Sequence, residues 1–455
     1  MAELKGVLLD LDGTLANTED YNYSYAKGVK TEELIEYKLY EFFKPILKVV
    51  TWGEFIELFK QAQKSVKLEL KGTAASHNRY LYIQKTLELC GVNFVPDIIQ
   101  RAVDYYFEVM LKRTELYPGV IEVLKCFKYN QLKTCMITDF TADIQIKKIR
   151  KLGIMKYIDY MVTSEEAGSD KPNTDQPILA LKKLGLSQDE VVMIGNNPKT
   201  DIQMAVAMDI RSFLFDPRKL YPEGGYGETF YLQDFSKIPA LLNLPTRKYS
   251  RKKMLIIDFV GTLTNERNMI EEVLSTFIHK DPAYVSATYK LFRQGDIGEP
   301  EFWYRLGIGE IKKAHKAIAA SITIRKSVIT VLKRLSQEYD LVLLTDFPGQ
   351  WGRSIMEERG IANLFSDMIF GNDTTFQKPD RALYKYLLQK YSTVNPENIT
   401  LIDDNPAALL SGREFLMHTI LVGNAKEGQI FVPDAVIEDF IEVEFVLKKR
   451  EKLNR

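Results

Sequence analysis

The chain has 455 residues, 45% hydrophobic and 27% charged, which suits about two to four globular domains and does not suit a disordered chain. Its 61 Lys+Arg balance 61 Asp+Glu, so no net field draws it to nucleic acid or to an anionic membrane. Three cysteines without a CxxC pattern and four scattered histidines exclude a disulfide framework and a histidine metal site, and they suit reduced thiols in the cytoplasm.

In chain order, residues 5–15, KGVLLDLDGTL, open with a short apolar run of the kind that forms a buried parallel strand. Asp10 interrupts the run too early for a signal peptide, and no later run approaches the ~18 apolar residues of a membrane span. The expectation is a cytoplasmic protein with no nucleic-acid or membrane partner. Asp10 and Asp12 stand two residues apart past the strand, where alternate residues share a face, so both can reach one site.

Residues 31–70 and 79–113 carry apolar residues at three- and four-residue spacing and predict a helical insert over about 17–115. Within it, Ser76 is read as the N-cap of the next helix, with contact to a substrate by Ser76–Tyr80 as the alternative. Residues 132–140, LKTCMITDF, predict a second buried strand that holds Cys135 and ends at Thr138. Helices are expected over 142–152 and 174–184, with Lys171 between them. A third strand in VVMIGNNPKTD, 191–201, leads into a loop carrying Asn196 and Asp201. The polar, basic stretch 244–253 reads as a linker.

The pattern then recurs. Residues 253–263, KMLIIDFVGTL, repeat the first strand with Asp258, but Val260 stands where Asp12 stood. Residues 268–320 predict a smaller helical insert, about 265–325, with Trp303 and Tyr304 as core residues. LVLLTDF ends in Thr345 and Asp346-Phe347, helices are expected over 349–360 and 380–391, and ITLIDDNPAAL supplies Asp403 and Asp404. Thr138 and Lys171 are 33 residues apart, as are Thr345 and Lys378. A period of 207 residues is far too long for a solenoid and reads as duplication of a whole domain. Strands alternating with helices predict an α/β protein: two Rossmann-like, doubly wound parallel-sheet core domains, 1–245 and 252–455, each with an inserted helical cap. Every motif falls at the carboxyl end of a strand, where such sheets bind ligands.

The residue types suit phosphate chemistry. The Thr138 hydroxyl can donate to a phosphate oxygen, Lys171 supplies a point charge, and Asp10 and Asp201 offer the hard oxygens that Mg²⁺ prefers. These ordered motifs resemble the haloacid dehalogenase superfamily, most of whose members are phosphatases, over nearly the whole chain and twice. The resemblance implies that Asp10 is the nucleophile that forms an aspartyl-phosphate, that Asp12 is the acid and base, and that Thr138 and Lys171 hold the phosphoryl group. It places Mg²⁺ on Asp10, the Asp12 backbone carbonyl, Asn196 and Asp201. Asn196 stands where the family usually has an acid, which weakens that set. In the second copy Asp258, Thr345 and Lys378 persist, and Asp258, Asp403 and Asp404 form a good acidic metal set. Val260 can neither donate nor accept a proton, so the second copy reads as degenerate. The implied function is Mg²⁺-dependent hydrolysis of a small phosphorylated metabolite by the first copy. A phosphotransferase or mutase using the same intermediate, and a regulator whose second copy senses a phosphorylated ligand, are the alternatives. Dehalogenation by the second copy is disfavoured, because Asp403-Asp404 point to a metal which that reaction does not need. Substrate identity and oligomeric state stay open.

Overall fold

The apolar runs ending in acid or threonine all become parallel strands whose alternate side chains feed opposite faces. In the second sheet Leu255, Ile257, Leu341 and Leu343 pack on one side, while Met254, Ile256, Val342 and Leu344 pack on the other. A strand buried on both faces needs apolar residues at every position, which is why these runs do not alternate. The computed structural model describes residues 3–17, 31–47, 50–245, 249–424 and 431–453. It divides into two compact units, Met1–Thr246 and Arg247–Arg455. Part of the expected linker, 246–248, and part of the first expected insert, 18–30 and 48–49, lie outside the described residues. No helix among the described residues is long and apolar enough to cross a membrane.

In the first unit β1 (Gly6–Leu9) leads to β2 (Ala16–Asn17), and β2 pairs antiparallel with β3 (Glu115–Leu116). This two-stranded neck marks where the chain leaves the sheet and returns. Between the two lie α1 (Thr31–Phe43), α2 (Trp52–Glu69), α3 (Arg79–Leu89) and α4 (Pro96–Arg113). The two long helical stretches are thus each broken in two. Lys44-Pro45 ends the first helix, and a capping box of Thr51 and Glu54 starts the second. Cys90-Gly91 and Pro96 divide the other pair.

The core continues through α5 (Val120–Tyr129), β4 (Lys133–Thr138), α6 (Ala142–Leu152), β5 (Tyr160–Thr163), α7 (Ser164–Ala167), α8 (Asp175–Leu184), β6 (Val191–Gly195), α9 (Gln203–Ala207), β7 (Ser212–Phe215), β8 (Gly224–Tyr226), β9 (Thr229–Leu232) and α10 (Ile238–Leu241). The sheet order is β5-β4-β1-β6-β7-β9-β8, parallel except for the β8–β9 pair.

The second unit repeats this plan. It runs β10 (Met254–Ile257), α11 (Pro282–Gln294), α12 (Glu299–Leu306), α13 (Ile311–Ser321), α14 (Lys326–Leu335), β11 (Asp340–Leu344), α15 (Gly349–Glu358), β12 (Asp367–Ile369), α16 (Arg381–Lys390), β13 (Ile399–Asp403), α17 (Pro406–Glu414), β14 (His418–Val422), β15 (Ala435–Ile437) and α18 (Val443–Leu453). Its sheet, β12-β11-β10-β13-β14-β15, is wholly parallel. In both units the first strand is flanked by the strand ending near the threonine and by the strand that precedes the acidic loop. The chain has the duplicated α/β architecture that its motifs implied.

The two inserts attach differently. In the first unit a hydrophobic cluster from Ile35 to Val109 is made of insert residues alone, among them Phe43, Phe55, Phe59 and Val103. In the second unit one cluster joins insert residues such as Val273, Phe302 and Ile318 to the strand residues Leu255 and Ile257. Trp351 on α15 is the joint. Its ring lies 5.3 Å from Phe292, 5.4 Å from Trp303 and 5.7 Å from Phe302. The Glu299 carboxylate accepts from the Trp351 indole at 2.6 Å and from the Trp303 indole at 3.0 Å, and it also meets His315. Trp303 is buried as expected, but Tyr304 is 83% exposed and is not a core residue. Successive residues on a helix point about 100° apart, so only one of the pair can face the core.

Trp351→Ala should lower the stability of the second unit by about 3–5 kcal/mol. Hydrogen exchange should show its insert and its sheet losing protection together. Phe59→Ala should instead loosen α1–α4 while β1, β4 and β6 keep their protection.

Candidate active site

At the carboxyl end of β1, Asp10 is 4% exposed and its two oxygens have separate partners. Oδ2 accepts from the Thr14 hydroxyl at 2.7 Å, and Oδ1 accepts from Lys171 Nζ at 2.6 Å. The same ammonium donates to Asp201 Oδ1 at 2.6 Å. Asp201 Oδ2 takes the backbone N–H groups of Asn196 and Asn197 at 3.1 and 3.0 Å. Three charges are therefore buried together, a state that persists only while each is paired and hydrogen-bonded. Burial pushes the Asp10 carboxyl upward; Lys171 opposes that rise, and the neighbouring Asp201 charge adds to it. Burial would lower the Lys171 ammonium, but Asp10 and Asp201 outweigh it and hold the group well above its ordinary range.

Gly13 shapes the floor of this site. It adopts φ +84°, and a side chain there would fall 2.2 Å from Asn196 Nδ2. The loop after β6 can approach the end of β1 this closely only because that space is empty. Gly195 likewise gives its side-chain space to the Asp201 side chain, whose Cβ lies 2.3 Å and whose carboxyl oxygen lies 2.6 Å from where a Cβ would sit. A single π-helical turn, Pro198–Ile202, aims Asp201 back into that space.

Asp12 faces a different set of partners. Both of its oxygens lie 2.7 Å from Lys148 Nζ, and Gln145 Nε2 donates to Oδ2 at 2.9 Å. Gln145 also donates to the Thr138 hydroxyl at 2.6 Å, tying Asp12 to the end of β4. Lys148 is 2% exposed, with its ammonium 4.7 Å from the centre of the Phe140 ring. Phe140 has φ +83°, a left-handed backbone that is uncommon for a bulky residue and typical of constrained sites.

The insert supplies the far wall. Arg79 lies 5.2 Å from the Phe140 ring, His77 is 3.3 Å from Asp170, and the Ser76 hydroxyl points at Asp170 from 3.4 Å. Ser76 is not a helix cap. It sits in the short turn Ala74–His77, and Asn78 caps α3 through the Tyr80 N–H at 2.8 Å. Asn78 is the last residue before the helix, and its shorter reach to the second N–H decides the role.

The second unit gathers the corresponding residues. Lys378 Nζ joins Asp258 at 2.6 Å to Asp403 at 2.7 Å, and Thr262 donates to Asp258 from 3.4 Å. Gly261, with φ +83°, leaves room for Asp404 as Gly13 does for Asn196. Aligned on the shared Asn-Pro, Asp403 corresponds to Gly195, and Leu409 to Asp201. The second carboxylate thus comes from the strand end in one unit and from the following turn in the other. Oxygens of Asp258, Asp403 and Asp404 all lie within 4.8 Å of one another. Burial pushes Asp403 upward, with Lys378 opposing and Asp258 adding to the rise, and burial reinforced by Asp258 raises Asp404 to about 6. Crowded, buried carboxylates with raised affinity for a proton are the donor set that a hard divalent cation relieves. The first unit offers two buried carboxylates, Asp10 and Asp201, with Asn196 as a neutral oxygen donor. Above the second cluster lies a cavity of about 360 Å³ lined by Val260, Arg267, Arg293, Thr345 and Lys378.

Every residue expected at the two sites therefore lies at the carboxyl end of its sheet. The motifs did not mark Gln145 and Lys148, and they gave Phe140, the last residue of its motif, no role at the site. In sequence, Gln145 and Lys148 are two polar residues on an amphipathic helix, where solvent exposure is the ordinary reading.

Residues 7–215 and again 252–415 match families described as haloacid dehalogenase-like hydrolase. The chain is 33% identical over 211 residues to a ribulose-1,5-bisphosphate 5-phosphatase of Halopiger xanaduensis, covering 46% of this chain and 84% of that one. It is 27% identical over 203 residues to a glyceraldehyde 3-phosphate phosphatase of Methanocaldococcus jannaschii, covering 44% and 80%. It is 25% identical over 218 residues to a phosphoglycolate phosphatase of Salmonella typhi, covering 46% and 79%.

Lys171→Met should strand two buried carboxylates and lower the stability of the first unit by about 3–5 kcal/mol in urea unfolding. Adding Asp201→Asn should restore part of the loss, because one of the two uncompensated charges is then gone.

Proposed function

The chain belongs to the haloacid dehalogenase-like hydrolases, in two tandem copies, and on that footing we propose that its first domain, residues 1–245, hydrolyses a small phosphorylated metabolite through an aspartyl-phosphate on Asp10. It is a phosphoric monoester hydrolase. The observation that carries the proposal is the pair of differently held carboxylates at one strand end: Asp10 fixed by Thr14 and Lys171, Asp12 fixed by Lys148 and Gln145. Two carboxylates in unlike surroundings can divide the labour of nucleophile and acid–base. The named substrates of the relatives, ribulose 1,5-bisphosphate, glyceraldehyde 3-phosphate and phosphoglycolate, support a small metabolite and leave its identity to the insert.

In this reading Lys171 and the Thr138 hydroxyl seat the phosphoryl group, and an Asp10 oxygen attacks phosphorus. The ester oxygen leaves toward Asp12, which gives it a proton. Asp12 then takes a proton from the water that hydrolyses the aspartyl-phosphate, so Asp10 is regenerated and the proton balance closes. A Mg²⁺ ion held by Asp10, the Asp12 backbone carbonyl, Asn196 and Asp201 would supply charge neutralisation to the phosphoryl oxygens. The α1–α4 insert acts as the cap, with Ser76, His77 and Arg79 at its contact with the core.

For the second domain, residues 252–455, we propose binding without efficient turnover. Asp258, Asp403 and Asp404 would hold Mg²⁺, and Thr345 and Lys378 would seat a phosphoryl group beneath the cavity. Val260 removes the proton donor, and the continuous cluster through Trp351 fastens its cap to the sheet. That makes it a phospho-ligand sensor joined to an enzyme.

Asp10→Asn should reduce phosphatase turnover by at least about 10³-fold with the fold retained, while Asp258→Asn should leave it within about twofold. Activity that follows Asp258 would overturn the assignment of the chemistry to the first domain. Asn196→Asp, which adds a charged oxygen beside Asp10, should lower the Mg²⁺ concentration for half-maximal turnover severalfold. An unchanged concentration would remove Asn196 from the metal set.

A further inference from the structure

We propose that Lys148 and Gln145 are positioning residues that aim the Asp12 carboxylate at the departing ester oxygen. The inference rests on the reading of Asp12 as acid and base. Asp12 follows the strand in a loop, where an aspartate side chain has several staggered rotamers open to it. Here Lys148 spans both oxygens at 2.7 Å and Gln145 fixes one at 2.9 Å. The two residues are three apart on α6, so they project from one face of the helix. Neither can move freely. Lys148 is 2% exposed against the Phe140 ring. Gln145 is fully buried, donates to Thr138 and to the Asp139 carbonyl, and leaves its own Oε1 buried without a partner. A fold selected for stability alone has no reason to keep that orphaned oxygen.

The second unit supplies an independent observation. Aligned on Thr138 and Thr345, Gln145 corresponds to Gly352 and Lys148 to Ile355, while Val260 takes the place of Asp12. All three polar groups are gone together. Ile355 is 1% exposed in the main core cluster, Val260 packs against that cluster, and a Cβ at Gly352 would fall 2.2 Å from the Phe370 ring. The same architecture therefore closes this corner with apolar residues. A buried ion pair is often replaceable by packed apolar side chains at no cost in stability. Its presence in the first unit is explained by chemistry there, not by the needs of the fold.

The test uses the full chain with Mg²⁺ and two probes, glycerol 2-phosphate as an alkyl ester and p-nitrophenyl phosphate as an aryl ester. An alkoxide needs a proton as it leaves, whereas nitrophenolate needs little help. Lys148→Met should therefore lower kcat/KM for the alkyl ester by about 10²-fold and change the aryl ester far less, with KM for both nearly constant. In an Asp12→Asn background the same substitution should have no further effect beyond about twofold, because residues that act through one group are not additive. Gln145→Met strands no charge and keeps the question open to measurement if Lys148→Met does not fold. It should give the same alkyl-selective loss at about tenfold. Equal losses on both esters, a raised KM with kcat unchanged, or a full additional loss on top of Asp12→Asn would each overturn the positioning role. If Asp12→Asn itself spares the alkyl ester, the acid–base reading fails and this inference falls with it. If Asp12→Asn is selective and neither α6 variant is, only this inference fails.

Discussion

A lysine ammonium buried between two aspartates organises each half of this chain. Lys171 lies between Asp10 and Asp201, and Lys378 between Asp258 and Asp403, at 2.6–2.7 Å. None of these groups could stay charged alone at such depth, because the desolvation of a single ion exceeds what a domain can offset. The strand ends, the left-handed glycine and the acidic loop must therefore converge on one point. Convergence leaves the second carboxylate free to come from either of two chain positions. One half uses the strand end, and the other uses a π-turn that folds back over Gly195. The spatial requirement is held more tightly than the sequence position that meets it.

The same requirement separates the two tasks of a phosphate-transferring site. Seating a phosphoryl group calls for a cation and hard oxygens, and both halves retain these. Moving a proton calls for a group held apart from that cluster, and on the proposed reading Asp12, held by Lys148 and Gln145, is that group in the first half. The second half has the richer acidic cluster, and Val260 stands there in the place of Asp12; on the proposed reading, the groups that would seat a ligand and the group that would move a proton have come apart within one polypeptide.

Much of this was legible in the residues. Two-sided burial writes uninterrupted apolar runs, so the central strands could be located by them. Chemistry at strand ends writes short motifs at fixed spacing, so Asp10, Thr138, Lys171 and their counterparts could be named. The partners of Asp12 could not be, because a lysine and a glutamine on a helix carry no mark of the neighbour they will meet across the fold. Insert boundaries suffered from a different ambiguity. Apolar spacing runs on through Lys44-Pro45, and only the Thr51–Glu54 capping box shows that a new helix has begun. Tyr304 looked like its neighbour Trp303, and only the helix phase separates them.

The neck at β2 and β3 joins the first insert to its sheet through two residues on each strand, and the apolar cluster of that insert is closed on itself. Such an insert is a detachable part. It can be shortened, enlarged or exchanged for another with almost no repacking of the sheet beneath, so selectivity can evolve in the insert while the strand ends stay as they are. The other insert shares its interior with the strands through Trp351. Any change to its outline is also a change to the foundation it stands on, and that half of the chain has given up the freedom to acquire new ligands by trading lids.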